Sequence, residues 1–211
     1  MATRTRLTRA ERKARTHAEL VEAARQVFLE RGYQAATVEA VAAAAGFSTG
    51  AVYSSVGGKA GLFLAVFDAR VDDRARQMEQ VGARARSVGE LAELLAREYA
   101  TTTAQQRAWS VLVIEFWALA AREPELRREF AARHDRLKAA TARVIDQVVA
   151  RTGERLALAT DQVATAAAAL ANGLTLEHLA HPEAPGDDLL ATLASLIMRG
   201  LTRDAAPDAS R

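Results

Sequence analysis

Residues 37–59 read Thr37-Val38-Glu39-Ala40-Val41-Ala42-Ala43-Ala44-Ala45-Gly46-Phe47-Ser48-Thr49-Gly50-Ala51-Val52-Tyr53-Ser54-Ser55-Val56-Gly57-Gly58-Lys59. Two short helices joined by a glycine turn fit this stretch. Ala42 is small where a second helix must cross the first, and Gly46 tolerates the left-handed backbone that a tight turn requires. Val41, Phe47 and Val52 fall in the register that points them at one another, and Ser48 can cap the second helix. That second helix opens with small polar residues and carries an aromatic hydroxyl, Tyr53. A helix-turn-helix presents such an end to the DNA major groove. An ordinary helical hairpin with an alanine-rich arm is the alternative reading of this segment.

Working outward, the N-terminal side is basic. The first seventeen residues hold Arg4, Arg6, Arg9, Arg12, Lys13 and Arg15 against Glu11 alone. Residues 1–60 carry nine Lys or Arg and five Asp or Glu, a net +4, whereas the rest carry nineteen and twenty-one, a net −2. A basic arm ahead of a helix-turn-helix suits a polyphosphate partner, and a solvated tail is the plain alternative. The 211 residues, half of them apolar, suit one domain of ordinary size with a small one appended. There is no cysteine, which excludes disulfides, thiolate zinc sites and a cysteine nucleophile. No apolar run reaches the length of a bilayer span, and the Arg-rich start lacks the apolar segment of a secretory signal. A cytoplasmic location with no membrane partner is expected.

Almost all of the chain reads as helix, so the fold class is all-α, with about nine helices. Thr8 and Glu11 form a capping box for helix one, whose stripe is Leu20, Ala24, Val27 and Phe28 and which Gly32 ends. Thr37 caps helix two, Ser48 caps helix three, and helix four spans about 59–81 with Leu62, Phe63, Val66 and Phe67 inward. The polar second half of helix four reads as a stretch through solvent, and Gly82 to Gly89 as a seam. Ser87 caps helix five. Helix six, about 107–122, is apolar nearly all round and reads as buried on most sides. Pro124 opens helix seven, which runs to about Thr152. Thr160 caps helix eight, and helix nine spans about 188–202. The division expected is an arm and helix-turn-helix domain at 1–58, a helical body at 59–204 linked by helix four, and a disordered tail at 205–211.

The run Gly32-Tyr33, then Thr37, then Ala45-Gly46-Phe47-Ser48-Thr49-Gly50-Ala51-Val52-Tyr53, then Lys59-Ala60-Gly61-Leu62-Phe63, resembles the N-terminal domain of TetR-type repressors. The likeness covers about a third of the chain. It implies a dimeric regulator with a three-helix DNA-binding domain and a helical ligand-binding and dimerisation domain. Carried over by position, it implies that Thr37 holds a phosphate, that Ser48, Thr49, Gly50 and Ala51 approach base edges or phosphates, that Tyr53 donates to a phosphate, and that Lys59 pairs with the DNA backbone. Arg4 and Arg6 of the arm join this set as minor-groove contacts. The sequence departs from the family pattern at Ser54, Ser55 and Val56, and at Gly58, Ala60 and Gly61. Val56 loosens the packing of helix three on helix four, and the glycines lower helix propensity.

In the body, Tyr99, Trp109, Leu112, Val113, Phe116, Trp117, Phe130 and His134 form a mostly aromatic set. Such a stripe is either core or the lining of an effector pocket for an apolar or aromatic small molecule. Glu115 is the one charge between Arg107 and Arg122, and a carboxylate there needs a partner: an arginine of helix five or seven, or a cationic or hydrogen-bonding effector. Ala164, Ala167, Ala171 and Leu174 of helix eight, with Leu189, Leu193, Leu196 and Ile197 of helix nine, suit a two-fold four-helix interface, hence a homodimer and a palindromic double-stranded operator. The alternative is that both helices complete an intramolecular core. Activation in place of repression, or regulation without an effector, fits the same fold. An enzyme or a helical scaffold is the rival from another class. The four histidines show no paired metal spacing and no phosphate loop is present, so no catalytic residue, metal or cofactor is expected.

Overall fold

Helix α1 (Arg9–Ala35) starts on a complete capping box: Thr8 Oγ1 accepts the Glu11 N–H at 3.2 Å, and Glu11 Oε2 accepts the Thr8 N–H at 2.6 Å. Gly32, at φ 74 and ψ 172, bends it before a last short turn. The structure is a computed structural model and describes residues 8–99, 104–181 and 187–203. Helix α2 (Val38–Ala45) begins with Thr37 Oγ1 accepting the Ala40 N–H at 3.1 Å and ends at left-handed Gly46. There the Phe47 N–H reaches back to the Ala42 carbonyl at 2.9 Å, a Schellman closure. Helix α3 (Thr49–Val56) is capped by Ser48, whose Oγ accepts the Ala51 N–H at 3.2 Å. The chain then continues through α4 (Lys59–Arg84), α5 (Val88–Tyr99), α6 (Ala104–Ala120), α7 (Pro124–Thr152), α8 (Thr160–Ala180) and α9 (Asp187–Leu201). The all-α reading holds, with nine helices among the described residues. One two-residue antiparallel pair, β1 (Arg155–Leu156) with β2 (Thr202–Arg203), is the only strand pairing among them.

Two compact units emerge. The first comprises the described residues up to Arg70 together with Ala108–Ala131. Its centre is aromatic. Phe63 stacks on Phe116 at 3.9 Å between centroids and meets Phe28 and Tyr33 edge-on at 6.0 and 5.8 Å. Phe130 packs against Phe67 at 5.0 Å and against Phe116 at 5.4 Å. The second unit comprises the described residues of Val71–Arg107 and those from Ala132 onward. Its core joins Met78, Val81, Val88, Leu91, Val144, Val148, Val163 and Met198. Arg151 completes the C-terminal end of α4 there by donating to the Gly82 and Ala85 carbonyls at 2.9 and 2.6 Å.

Several sequence expectations need correction. The packed units are drawn differently from the expected domains, with the first half of α4 and most of α6 grouped with the helix-turn-helix. The polar second half of α4 is not a solvent stretch, because Val71, Met78 and Val81 recur at helical spacing beneath its charges and are buried. Gly82 is no seam. A Cβ on it would lie 2.4 Å from Val144 Cγ1, so it is a close-packing glycine inside α4. Helix α6 buries Leu112, Phe116 and Ala120, but Val111 and Trp117 are exposed, so its apolar girth exceeds its buried face. Thr160 is the first residue of α8, not its cap. Ala159 stands at the cap, and only Gln162 assists, accepting the Ala159 N–H at 3.2 Å. The expected tail at 205–211 lies outside the described residues.

Candidate nucleic-acid interface

The reading end of α3 is set by local chemistry. Ser48 spends its hydroxyl on the Ala51 amide, which fixes the first turn. Ser48, Thr49 and Gly50 are exposed there, and Ala51 is half-covered. The first-turn amides of Thr49 and Gly50 have no intrahelical carbonyl to bond, so they are suited to anionic oxygen. Tyr53, one turn on, is 57% exposed although aromatic. Its ring rests against Gly58, where a Cβ would stand 3.1 Å from Cε1. Thr37 is exposed at the start of α2, its hydroxyl already engaged as the cap. Val52 is fully buried and ties α3 to the core. Thus Thr37, Ser48, Thr49, Gly50, Ala51 and Tyr53 all belong to one small three-helix head. Arg4 and Arg6 lie outside the described residues.

Residues that depart from the family pattern have specific neighbours. His17 Nδ1 of α1 lies 3.2 Å from Ser55 Oγ of α3. Gly61 approaches the end of α3 so closely that a Cβ would lie 1.7 Å from the Val56 carbonyl oxygen. Gly61 is thus more than a loss of helix propensity, because at the α3–α4 corner its missing Cβ admits the Val56 carbonyl.

Lys59 and Glu115 occupy places that side-chain reasoning missed. The Lys59 ammonium donates to the Gln34 carbonyl at 2.9 Å and sits 4.6 Å from the centroid of the Tyr33 ring. Burial pushes its pKa down, and the negative charge of Glu115 opposes that shift. Among the described residues the partner recorded for the Glu115 carboxylate is a backbone amide, not an arginine. Its Oε2 accepts the backbone N–H of Tyr33 at 2.6 Å. The signal was Gly32, since a helix bent by a glycine leaves an amide in need of an acceptor.

The remaining set divides. Trp109, Leu112, Val113, Glu115, Phe116, Trp117 and Phe130 belong to the first unit, whereas Tyr99 and His134 belong to the second. Leu112, Phe116 and Phe130 are core. Trp109 stacks near Phe67 at 6.1 Å, with the Arg70 guanidinium 5.6 Å from its ring. Trp117 touches Phe130 at 5.8 Å and stays 41% exposed. The Tyr99 side chain lies outside what is described. Burial pushes the His134 pKa down, with Lys138 acting in the same sense and Asp135 against it. On α8, both ring nitrogens of His178 are buried with no hydrogen-bond partner among the described residues.

Helices α8 and α9 keep an apolar surface, and on α8 it lies in a different phase from the one expected. Ala164 is buried in its own chain, and Leu174 packs on Ala96, Leu190 and Ala191. The exposed face of α8 is Ala166, Ala169, Gly173, Leu176 and Ala180, while Ala171 is half-covered and Ala167 exposed to one side. On α9, Leu189, Leu196 and Ile197 are exposed and Leu193 is half-covered. Among the described residues no group of His, Asp and Glu is placed to hold a metal, and no single helix is long and apolar enough to cross a membrane.

Residues 20–66 match the family model of bacterial regulatory proteins of the tetR family, and residues 89–202 match that of the BetI-type transcriptional repressor C-terminal domain. No functionally curated protein matches significantly. Solved structures share the fold. A TetR-family regulator from Mesorhizobium loti superposes with a TM-score of 0.70 at 22% identity, covering 92% of this chain and 96% of its own. The regulator FadR from Bacillus subtilis, solved with stearoyl-CoA, gives 0.68 at 14% identity, covering 86% and 97%. A regulator from Saccharomonospora viridis, solved with choline, gives 0.70 at 17% identity, covering 90% and 99%.

Proposed function

The chain belongs to the TetR family of transcriptional regulators, and from that premise we propose that it is a dimeric repressor that holds a palindromic operator through two α2–α3 heads and releases it when a small molecule binds the helical body. The observation that carries this reading is the exposed, capped end of α3, where Ser48, Thr49 and Gly50 stand beside Tyr53 with no acidic residue in that helix. Phosphate would be held by Thr37, Tyr53 and the arm, and Ala51 or the Thr49 methyl would meet a thymine methyl. Helix α3 has no Arg, Asn or Gln for bidentate base reading, so much of the sequence preference would come from DNA shape.

The effector would be largely apolar. Choline and stearoyl-CoA are the ligands seen with two structural relatives, and their own contrast leaves the class here to this chain's residues. His178 supports a polar anchor in the body, because two buried ring nitrogens without partners among the described residues favour any ligand that bonds to them. Release requires that the ligand prefer a conformation in which the heads no longer match the groove spacing. Helices α4 and α7 contribute residues to both units, and either can transmit that preference. The protein would act in the cytoplasm, without a catalytic role.

Selection of bound duplexes from random DNA tests the proposal. A two-fold symmetric motif is the expected outcome, and failure to bind any duplex even at low salt would refute it. On the selected operator, deletion of residues 1–8 is expected to weaken binding and to flatten the dependence of log K on log salt by about 0.9 for each phosphate no longer neutralised. An unchanged slope would remove Arg4 and Arg6 from the interface.

A further inference from the structure

Glu115 and Tyr33 are 82 residues apart, yet a carboxylate oxygen of one accepts the backbone N–H of the other at 2.6 Å. The bend makes this acceptor necessary. Gly32 leaves helical geometry at φ 74, and the Tyr33 amide must then find its partner outside α1. Both oxygens of Glu115 also lie 3.2 Å from where a Cβ on residue 32 would sit. The glycine is thus required by its backbone angle, and the carboxylate beside it leaves a Cβ little room. From the other side, the Lys59 ammonium bonds to the Gln34 carbonyl at 2.9 Å and covers the Tyr33 ring. The same ring meets Phe116, the neighbour of Glu115, edge-on at 5.1 Å. An anion on α6 and a cation on α4 therefore grip adjacent residues of one corner, and Thr37, which starts α2, is only three residues further on.

Resting on the DNA-binding reading above, we propose that Glu115 is a positioning residue for operator recognition, and that Lys59 acts with it as an internal clamp on the α1–α2 corner instead of as a ligand to phosphate. Helix α6 then holds the reading head directly. Drawing α6 away by about 1 Å takes the 2.6 Å bond out of hydrogen-bond range, so operator affinity responds to the position of α6.

The test uses the full-length protein and the duplex that the wild type selects. Glu115→Ala, Glu115→Gln and Lys59→Met are titrated by fluorescence anisotropy over a salt series, and exchange of the Tyr33 amide is followed by NMR. Glu115→Ala is expected to weaken binding about tenfold or more, with an unchanged salt slope and a faster-exchanging Tyr33 amide. Glu115→Gln keeps the acceptor and should keep the amide protected while losing part of the affinity. Lys59→Met should weaken binding at constant slope, and its effect should be non-additive with that of Glu115→Ala. The clamp is overturned if folded Glu115→Ala binds within twofold of the wild type, or if it only melts earlier. It is equally overturned if Lys59→Met lowers the slope by about 0.9 per head, which returns Lys59 to the phosphate. Should Glu115→Ala not fold, the glutamine and methionine variants decide, and wild-type binding by both rejects the proposal. A wild type that binds no duplex refutes the DNA-binding reading alone, because Tyr33 exchange still tests the clamp.

Discussion

Gly61→Ala is expected to lose operator binding and to melt at least about 5 °C below the wild type. In most helix interiors the same exchange stabilises by about 0.5–1 kcal/mol, because alanine has less backbone freedom to lose. Here the new Cβ would lie 1.7 Å from the Val56 carbonyl oxygen and 2.8 Å from the carbonyl carbon. Both are backbone atoms, so no side-chain rotation relieves the clash. Overpacking of this kind costs about 3 kcal/mol, which exceeds the propensity gain and reverses the sign. The last turn of α3 would have to move, and the link behind it is already committed, with Gly57 at φ 78 and Gly58 at φ 117. A displaced α3 no longer presents Ser48 to Tyr53 in register. Circular-dichroism melts and anisotropy titration check this. Gly89→Ala, whose Cβ would meet nothing nearer than 3.7 Å, is the control and should melt at or above the wild type. If Gly61→Ala melts and binds like the wild type, α3 and α4 do not pack this closely.

This glycine shows where sequence reading reached and where it stopped. Caps and turns were legible because their chemistry is local: Thr8, Thr37 and Ser48 each bond to an amide three residues on, and Gly46 is left-handed as the turn demands. Gly61 reads in sequence as a loss of helix propensity, because the carbonyl it approaches belongs to another helix. The partner of Glu115 was hidden for a similar reason. A search among side chains of opposite charge does not find a backbone amide that a bend has left without its helical acceptor. On α4, the charges of Asp72, Asp73, Arg74 and Arg76 masked a stripe of single apolar residues. Some of those charges are themselves engaged, with Arg74 donating to the Leu95 carbonyl at 3.2 Å and Asp72 paired with Arg136 at 2.6 Å. On α8 the difficulty was monotony. A run of alanines carries no hydrophobic period, so its phase is fixed by Leu170 and Leu174 packing inward, and Ala164 follows them.

That corrected phase leads to the expected result for Leu196→Glu: a chain that folds as before, stays monomeric, and binds its operator about a hundredfold or more weakly. Leu196 is 57% exposed on α9, with Leu189 and Ile197 also exposed beside it, and Leu176 is 52% exposed on α8. Four large apolar side chains on two helices, flanked by Ala166, Ala169 and Gly173, form a face that a second copy can cover closely. In the single chain a glutamate at 196 points to water, and such surface exchanges change stability by within about 0.5 kcal/mol. In a two-fold interface the same change buries two carboxylates without partners, at a cost of several kcal/mol. Size-exclusion chromatography with light scattering at micromolar concentration should show the mass of one chain for the variant and of two for the wild type. The loss of affinity follows from linkage, because two joined heads bind with an effective concentration that a lone head lacks. Leu176→Glu should reproduce both effects from the other helix. A dimeric Leu196→Glu would place the interface elsewhere, and a monomeric variant with wild-type operator affinity would show that one head suffices.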